Sequence, residues 1–245
     1  MNAWRAIQAL GPVDLKSIQR DALLRWMALS PLLIGLAIRW VIPALAERIR
    51  EQFGFDVSPY YGLLMSILVA VVALMFGMII GFLLLDQRDD RTLIALQVTP
   101  LSLNGYFAYR IAMPILISIL GVILVVPLSG LVQIRPASLL WVSVAAAPQA
   151  PLFALALASL AQNKVQGFAL SKATGVLFVA PLIAYFVPAG WQLAFGLVPT
   201  YWPAKLFWVL QEGAPYAWAY LAAGLLYQAF LIGLLLRYFN RIMER

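Results

Sequence analysis

Six apolar runs, each about as long as the roughly 20 residues a helix needs to cross a bilayer, constrain this chain more than any motif does. They cover approximately residues 23–46, 60–85, 106–131, 139–160, 167–187 and 217–236. With 64% hydrophobic and 11% charged residues and a mean hydropathy of +0.90, the chain is far more apolar than a soluble domain, which is about half apolar and a quarter charged. The expectation is an all-α polytopic membrane protein of six transmembrane helices, one transmembrane domain over residues 1–245. Polar loops are short and no internal repeat is evident, leaving no room for a soluble enzyme module.

Several chemistries drop out early. The chain has no cysteine and no histidine, which removes disulfides, thiolate metal sites, cysteine nucleophiles and the commonest metal ligand and general base. No G-x-x-x-x-G-K-[ST] phosphate loop is present, and residues 167–175 lack its Gly-Lys pair. An intramembrane metalloprotease would want His or paired Glu within a span, and a serine or aspartate mechanism lacks a convincing dyad. The charge of +7 is read as topology, not as nucleic-acid binding. With both termini cytoplasmic, twelve of the seventeen Lys and Arg fall inside and five outside, in keeping with the positive-inside bias.

Between the second and third runs lies a polar island, residues 86–103, with Asp86, Asp89 and Asp90 beside Arg88 and Arg91. Asp89 or Asp90 can cap a helix start and place negative charge at the positive end of its dipole. Ile94, Val98 and Leu101 then recur at i, i+4 and i+7, and Pro100 should end the helix near Thr99. From the residues alone this is either an amphipathic loop helix resting on the membrane surface or a helix that also meets a cytoplasmic partner.

The run Asp86, Gln87, Arg88, Asp89, Asp90, Arg91, Thr92, Leu93, then Leu96, Thr99, Pro100, Leu101 and Ser102, resembles the cytoplasmic coupling helix of ABC-2-type (type V) ABC transporter permeases. It departs from that pattern at Arg91, usually glycine, and at Ile94, often acidic. Residues 13–33, through Asp14, Arg20, Asp21, Leu23, Leu24 and Pro31, resemble the entry to the first span in a drug-export branch of the same family. The resemblance implies a permease subunit that moves a hydrophobic or amphipathic molecule, drug or lipid, outward across a prokaryotic cell membrane. ATP and magnesium would sit on a separate ABC ATPase present in two copies, with no cofactor on this chain. A second permease subunit, identical or related, would complete the pathway, the second and fifth spans facing across the interface. ATPase coupling would fall to Asp86, Arg88, Asp89, Asp90, Arg91, Thr92, Leu93, Leu96, Thr99 and Pro100. The alternative is an ATP-independent scaffold or secondary carrier, although an ion-coupled carrier usually needs a mid-membrane acid.

Other segments carry expectations of their own. Residues 1–22 lack a basic head, short apolar core and cleavage site, so an interfacial helix, divided by Gly11 and Pro12, is expected rather than a cleaved signal. Arg39, late in the first span, would cost about 2.5–3.5 kcal/mol at the membrane centre, so snorkelling to the outer interface beside Trp40 is the cheaper placement. Met65, Met75 and Met78 in the second span are either an adaptable pathway lining or plain packing. Pro148 and Pro151 predict a kinked fourth span, with Gln149 bonding a carbonyl the prolines free. In the fifth span Thr174 and Pro181 mark either a flexible point lining the pathway or a tolerated kink. Residues 188–215 are rich in aromatics and broken by Pro and Gly. They are read as short helices that dip into the outer leaflet and return, as in the resembling family. Trp191, Phe195, Tyr201 and Trp202 would then form an outer gate or merely an interfacial belt.

Overall fold

The computed structural model describes residues 3–89 and 103–243. Asp90, Arg91, Thr92, Leu93, Leu96, Thr99 and Pro100, most of the expected coupling helix, lie outside them. Every regular element among the described residues is helical. α1 (Ala3–Arg20) precedes α2 (Ala22–Phe53), α3 (Tyr61–Asp89) and α4 (Leu103–Ser129), the first three crossings. The fourth crossing is α5 (Pro136–Ala146) plus α6 (Gln149–Leu160). The fifth is α7 (Lys164–Ala173), a 3-10 turn over Thr174–Phe178, and α8 (Val179–Phe186). After α9 (Ala189–Gln192), a 3-10 turn and α10 (Tyr201–Gln211), α11 (Ala217–Met243) makes the sixth crossing. Six crossings return both chain ends to one side, the terminal side, opposite the far side.

Burial sorts the crossings. The most apolar stretches of the second and fourth are 72% and 67% buried, those of the first and sixth only 11% each. The second crossing is therefore the axis, sealed mainly against the fourth. Two glycines one turn apart make that seam possible: a Cβ on Gly77 would lie 2.5 Å from the Ala150 carbonyl oxygen, and one on Gly81 would lie 2.8 Å from Leu157 and 3.2 Å from the Ala154 Cα. With no hydrophobic drive between helices in lipid, such close backbone approach supplies the contact that holds them.

Three sequence expectations need correction. α1 runs unbroken through Gly11 and Pro12, because its Asp14 is anchored to the third crossing and tertiary anchoring outweighs a single lost backbone bond. Asp86, Arg88 and Asp89 do not begin a separate helix. They form the last turn of α3, where the apolar run continues without a breaker and the helix simply extends past the membrane. The fourth crossing breaks at Ala147 and Pro148 as expected, but Gln149 donates to the carbonyl of Pro199 (3.3 Å), far along the chain, and it is Gln228 of α11 that donates to Ala145 at the break (3.0 Å).

Residues 188–215 do re-enter. α10 is buried from Tyr201 to Val209 except at half-buried Trp202. Its leading turn meets the middle of two crossings, since Thr200 donates to the carbonyl of Leu177 in the fifth and Pro199 accepts from Gln149 in the fourth. The tip of the re-entrant segment therefore sits near the bilayer midplane.

Candidate functional site

The described residues around the two roots of the polar island form a cross-linked set on the terminal side. Gln87, in the last turn of α3, accepts a 2.7 Å bond from the hydroxyl of Tyr106, one turn into α4. Both roots are thus tied directly to one another. Arg88 donates to the carbonyls of Ala158 (2.8 Å) and Ala161 (2.7 Å). It caps the C-terminal end of α6, where a cation is favoured by the helix dipole.

Charge binds three further helix ends. Lys164, the first residue of α7, pairs with Asp86 at 2.9 Å and with Asp21 at 3.1 Å. Asp21 is also the N-cap of α2, accepting from the N–H groups of Leu23 and Leu24. Burial raises its carboxyl, but Lys164 and those two N–H groups outweigh burial and leave it below the ordinary carboxylate range. One ammonium thereby joins the starts of the first and fifth crossings to the end of the second. All three side chains are about a third exposed, so the cluster contributes at most about 1 kcal/mol. Lys164→Met should lower the thermal midpoint slightly at low salt, and the gap from wild type should close at about 1 M NaCl, where the screening length is about 3 Å. A gap independent of salt in scanning fluorimetry would mean that packing, not charge, joins these ends.

Deeper lies a buried pair. Arg110 grips Asp14 of α1 with two bonds, Nη1 to Oδ2 at 2.7 Å and Nη2 to Oδ1 at 3.0 Å, and Tyr109 donates to the same carboxylate at 2.8 Å. The guanidinium also lies 5.2 Å and 5.3 Å from the ring centres of Tyr106 and Tyr109. This fixes α1 to the third crossing just beyond the island's second root. Sequence reasoning named Asp14 and Asp21 but missed their partners Arg110 and Lys164. The usable signal was Arg110 itself, a charge one turn inside an apolar run that demands a counter-charge.

The pathway candidates separate. Leu64, Ile67, Val71, Met75 and Met78 are half-buried and fall on one side of α3 at 3.6 residues per turn, beside the first crossing, where Ser30 donates to the Met75 sulfur at 3.4 Å. Met65 is not on that stripe. It is fully enclosed, with Ser129 donating to its sulfur at 3.2 Å, and so packs the interior of this subunit. Thr174 is half-buried and bonds back to Ser171, while Pro181 is buried. Beneath the re-entrant tip, Leu152, Phe153, Ala156, Leu177, Pro199 and Leu231 enclose part of an apolar cavity of about 310 Å³.

Of the expected gate residues only Tyr201 and Trp202 meet, edge to face at 5.7 Å. Trp191 is exposed on the far side, and Phe195 is half-buried. Tyr201 is fully buried, and Trp202 donates to Gly196 at 2.9 Å and packs on Gly224 of α11. Arg39 remains exposed and donates to the carbonyl of Leu128 at the far-side end of α4 (3.3 Å). Among the described residues no group of three or more acidic side chains is placed to hold a metal ion.

Comparison with known proteins covers nearly the whole chain. A family described as "Fluoroquinolones export permease protein Rv2686c-like" matches residues 14–236. Two Mycobacterium tuberculosis proteins, the fluoroquinolones export permease proteins Rv2686c (strain ATCC 25618 / H37Rv) and MT2760 (strain CDC 1551 / Oshkosh), are each 32% identical to it over 239 residues. The match spans 96% of this chain and 94% of each relative.

Proposed function

Because the chain belongs to the Rv2686c-like family of fluoroquinolones export permease proteins, we propose that it is the membrane-spanning subunit of an ATP-driven exporter, powered by a separate ATPase that docks on the polar island. The terminal side is then cytoplasmic. ATP and magnesium bind the ATPase, in two copies, and a second permease subunit, identical or related, completes the pathway. The cargo is a hydrophobic or amphipathic small molecule, a drug or a lipid, moved outward through a prokaryotic cell membrane.

The observation that carries this reading is the bracing of the island's roots. A push on the island reaches the second and third crossings through Gln87 and Tyr106, the fourth through Arg88, and the first and fifth through Asp86 and Lys164. Force applied at one short segment is thereby distributed to five crossings. An isolated surface helix would need no such bracing.

Affinity purification from the native membrane should bring down an ATPase carrying a phosphate loop. Reversing Asp89 and Asp90 to lysine should leave expression and ATP hydrolysis largely intact while cutting cargo export at least tenfold, a loss of about 1.4 kcal/mol in coupling. Purification without any nucleotide-binding partner, or full export by the reversed variant, would remove the coupling role.

A further inference from the structure

Lys205 is a buried basic residue that forms no ion pair among the described residues. It lies on α10, one turn from the re-entrant tip, and is 9% exposed. Its ammonium has three N–H donors. One is taken by the Gln192 side-chain oxygen at 2.7 Å, and the charge faces the Tyr220 ring at 5.6 Å. Among the described residues it has no ion pair, in contrast to Arg110 and Lys164. A buried lysine that Glu212, at the C-cap of the same helix, acts on only through space, and that makes no ion pair among the described residues, is costly to place and marks a functional site.

A second orphan stands on the same face. Tyr201 and Lys205 are four residues apart on α10, a spacing that aligns side chains, and helical side chains lean toward the N-terminus. The Tyr201 hydroxyl is fully buried and has no hydrogen-bond partner among the described residues, and the Tyr220 ring of α11 lies over the Lys205 ammonium and within electrostatic reach of Tyr201. Buried hydroxyls are normally satisfied, so an unpartnered hydroxyl one helical turn from a lysine with no ion pair is an arrangement that an oxyanion completes. Tyr220 is half-buried and its ring meets that of exposed Tyr216 at 6.2 Å, which leaves only a thin cover between the site and the outer surface.

We propose that the Lys205 ammonium and the Tyr201 hydroxyl form a binding site, under Tyr220, for the oxyanion, carboxylate or phosphate, of an amphipathic molecule held in the outer half of the membrane. This rests on the export reading only for its placement on the pathway; the site itself is a statement about binding. The apolar body of the ligand lies among the helices while the charge is met by two donors, so the site discriminates an acid from its neutral ester.

The test is equilibrium binding to the full chain in phosphatidylcholine nanodiscs, read by energy transfer from tryptophan to pyrene, with pyrenebutyrate and its methyl ester as probes. Wild type should bind the acid more tightly. Lys205→Gln should weaken the acid about tenfold or more and the ester less than twofold, with Lys205→Arg recovering part of the loss. Tyr201→Phe should weaken the acid several-fold without lowering the thermal midpoint, since it removes only an unpartnered hydroxyl. Doping the discs with phosphatidylglycerol identifies the source. Displacement of the acid from wild type assigns the site to a lipid phosphate, and no displacement assigns it to a cargo carboxylate. Equal binding of acid and ester, or parallel losses of both in the variants, would overturn the site. No ATPase enters this measurement, so a failed export assay would leave it standing and a failed binding assay would leave export standing.

Discussion

Arg110→Met should lower the unfolding midpoint of the purified permease sharply, because it strands the Asp14 carboxylate where the pair is nearly sealed, at 1% and 8% side-chain exposure. Breaking one partner of a buried pair costs about 3–5 kcal/mol, most of it the penalty of the charge left behind. Arg110→Lys should recover only part, since an ammonium cannot reproduce the two-pronged grip on both carboxylate oxygens. The double variant Asp14→Leu with Arg110→Met should recover most of the loss, as apolar replacement of a whole buried pair is often neutral. Limited trypsin digestion gives an independent readout: in Arg110→Met, α1 should be released and cut at Lys16 and Arg20 far faster than in wild type. Equal stability of single and double variants would mean that the pair does not anchor α1.

Gly77→Val should have the second large effect, on folding itself. Even the first added carbon would lie 2.5 Å from the Ala150 carbonyl oxygen and 2.9 Å from its Cα, both backbone atoms that cannot swing aside. Overpacking of a closed seam costs about 1–3 kcal/mol. Valine adds two more methyl groups, so the monodisperse fraction after detergent extraction should collapse. Gly77→Ala should be milder than valine yet worse than Gly81→Ala, whose nearest neighbour is the movable Leu157 side chain. Gly233→Ala, with nothing within 4 Å, is the control and should be neutral or slightly stabilising, as alanine is the better helix former. Indifference to Gly77→Val would show that the second and fourth crossings are not held at that distance.

The crossings themselves were plain in the sequence, since a run of about 20 apolar residues has few other uses. The breaks followed from Pro148 in the fourth crossing and from the Pro and Gly of residues 188–215. Which face of a crossing points inward was not legible. In a soluble helix a polar face reveals the inside by contrast, but lipid and protein interior are equally apolar. Nothing therefore distinguished Met65, sealed against Ser129, from Met75 and Met78 on the half-open stripe. Partners separated by long stretches of chain were also hidden: Asp14 and Arg110 lie 96 residues apart, and Asp21 and Lys164 lie 143 apart. At residues 86–89 the charges close α3, since charged residues mark a helix end as well as a start, and the start expected at Asp90 lies outside the described residues. The depth of the re-entrant tip emerged only from the bonds that Thr200 and Pro199 make to the middles of the fifth and fourth crossings.

The glycine seam also bears on mechanics. Two helices locked backbone to backbone over successive turns cannot slide past one another, so α3 and α6 move as one stiff unit on the terminal side of the break at Pro148. Arg88 fastens the terminal-side end of that unit beside the island, and Gln149 hangs the re-entrant tip from its other end. A tilt imposed at the terminal-side end is therefore passed to the re-entrant tip without loss to intervening joints. The give in the molecule lies in the thinly packed first, fifth and sixth crossings.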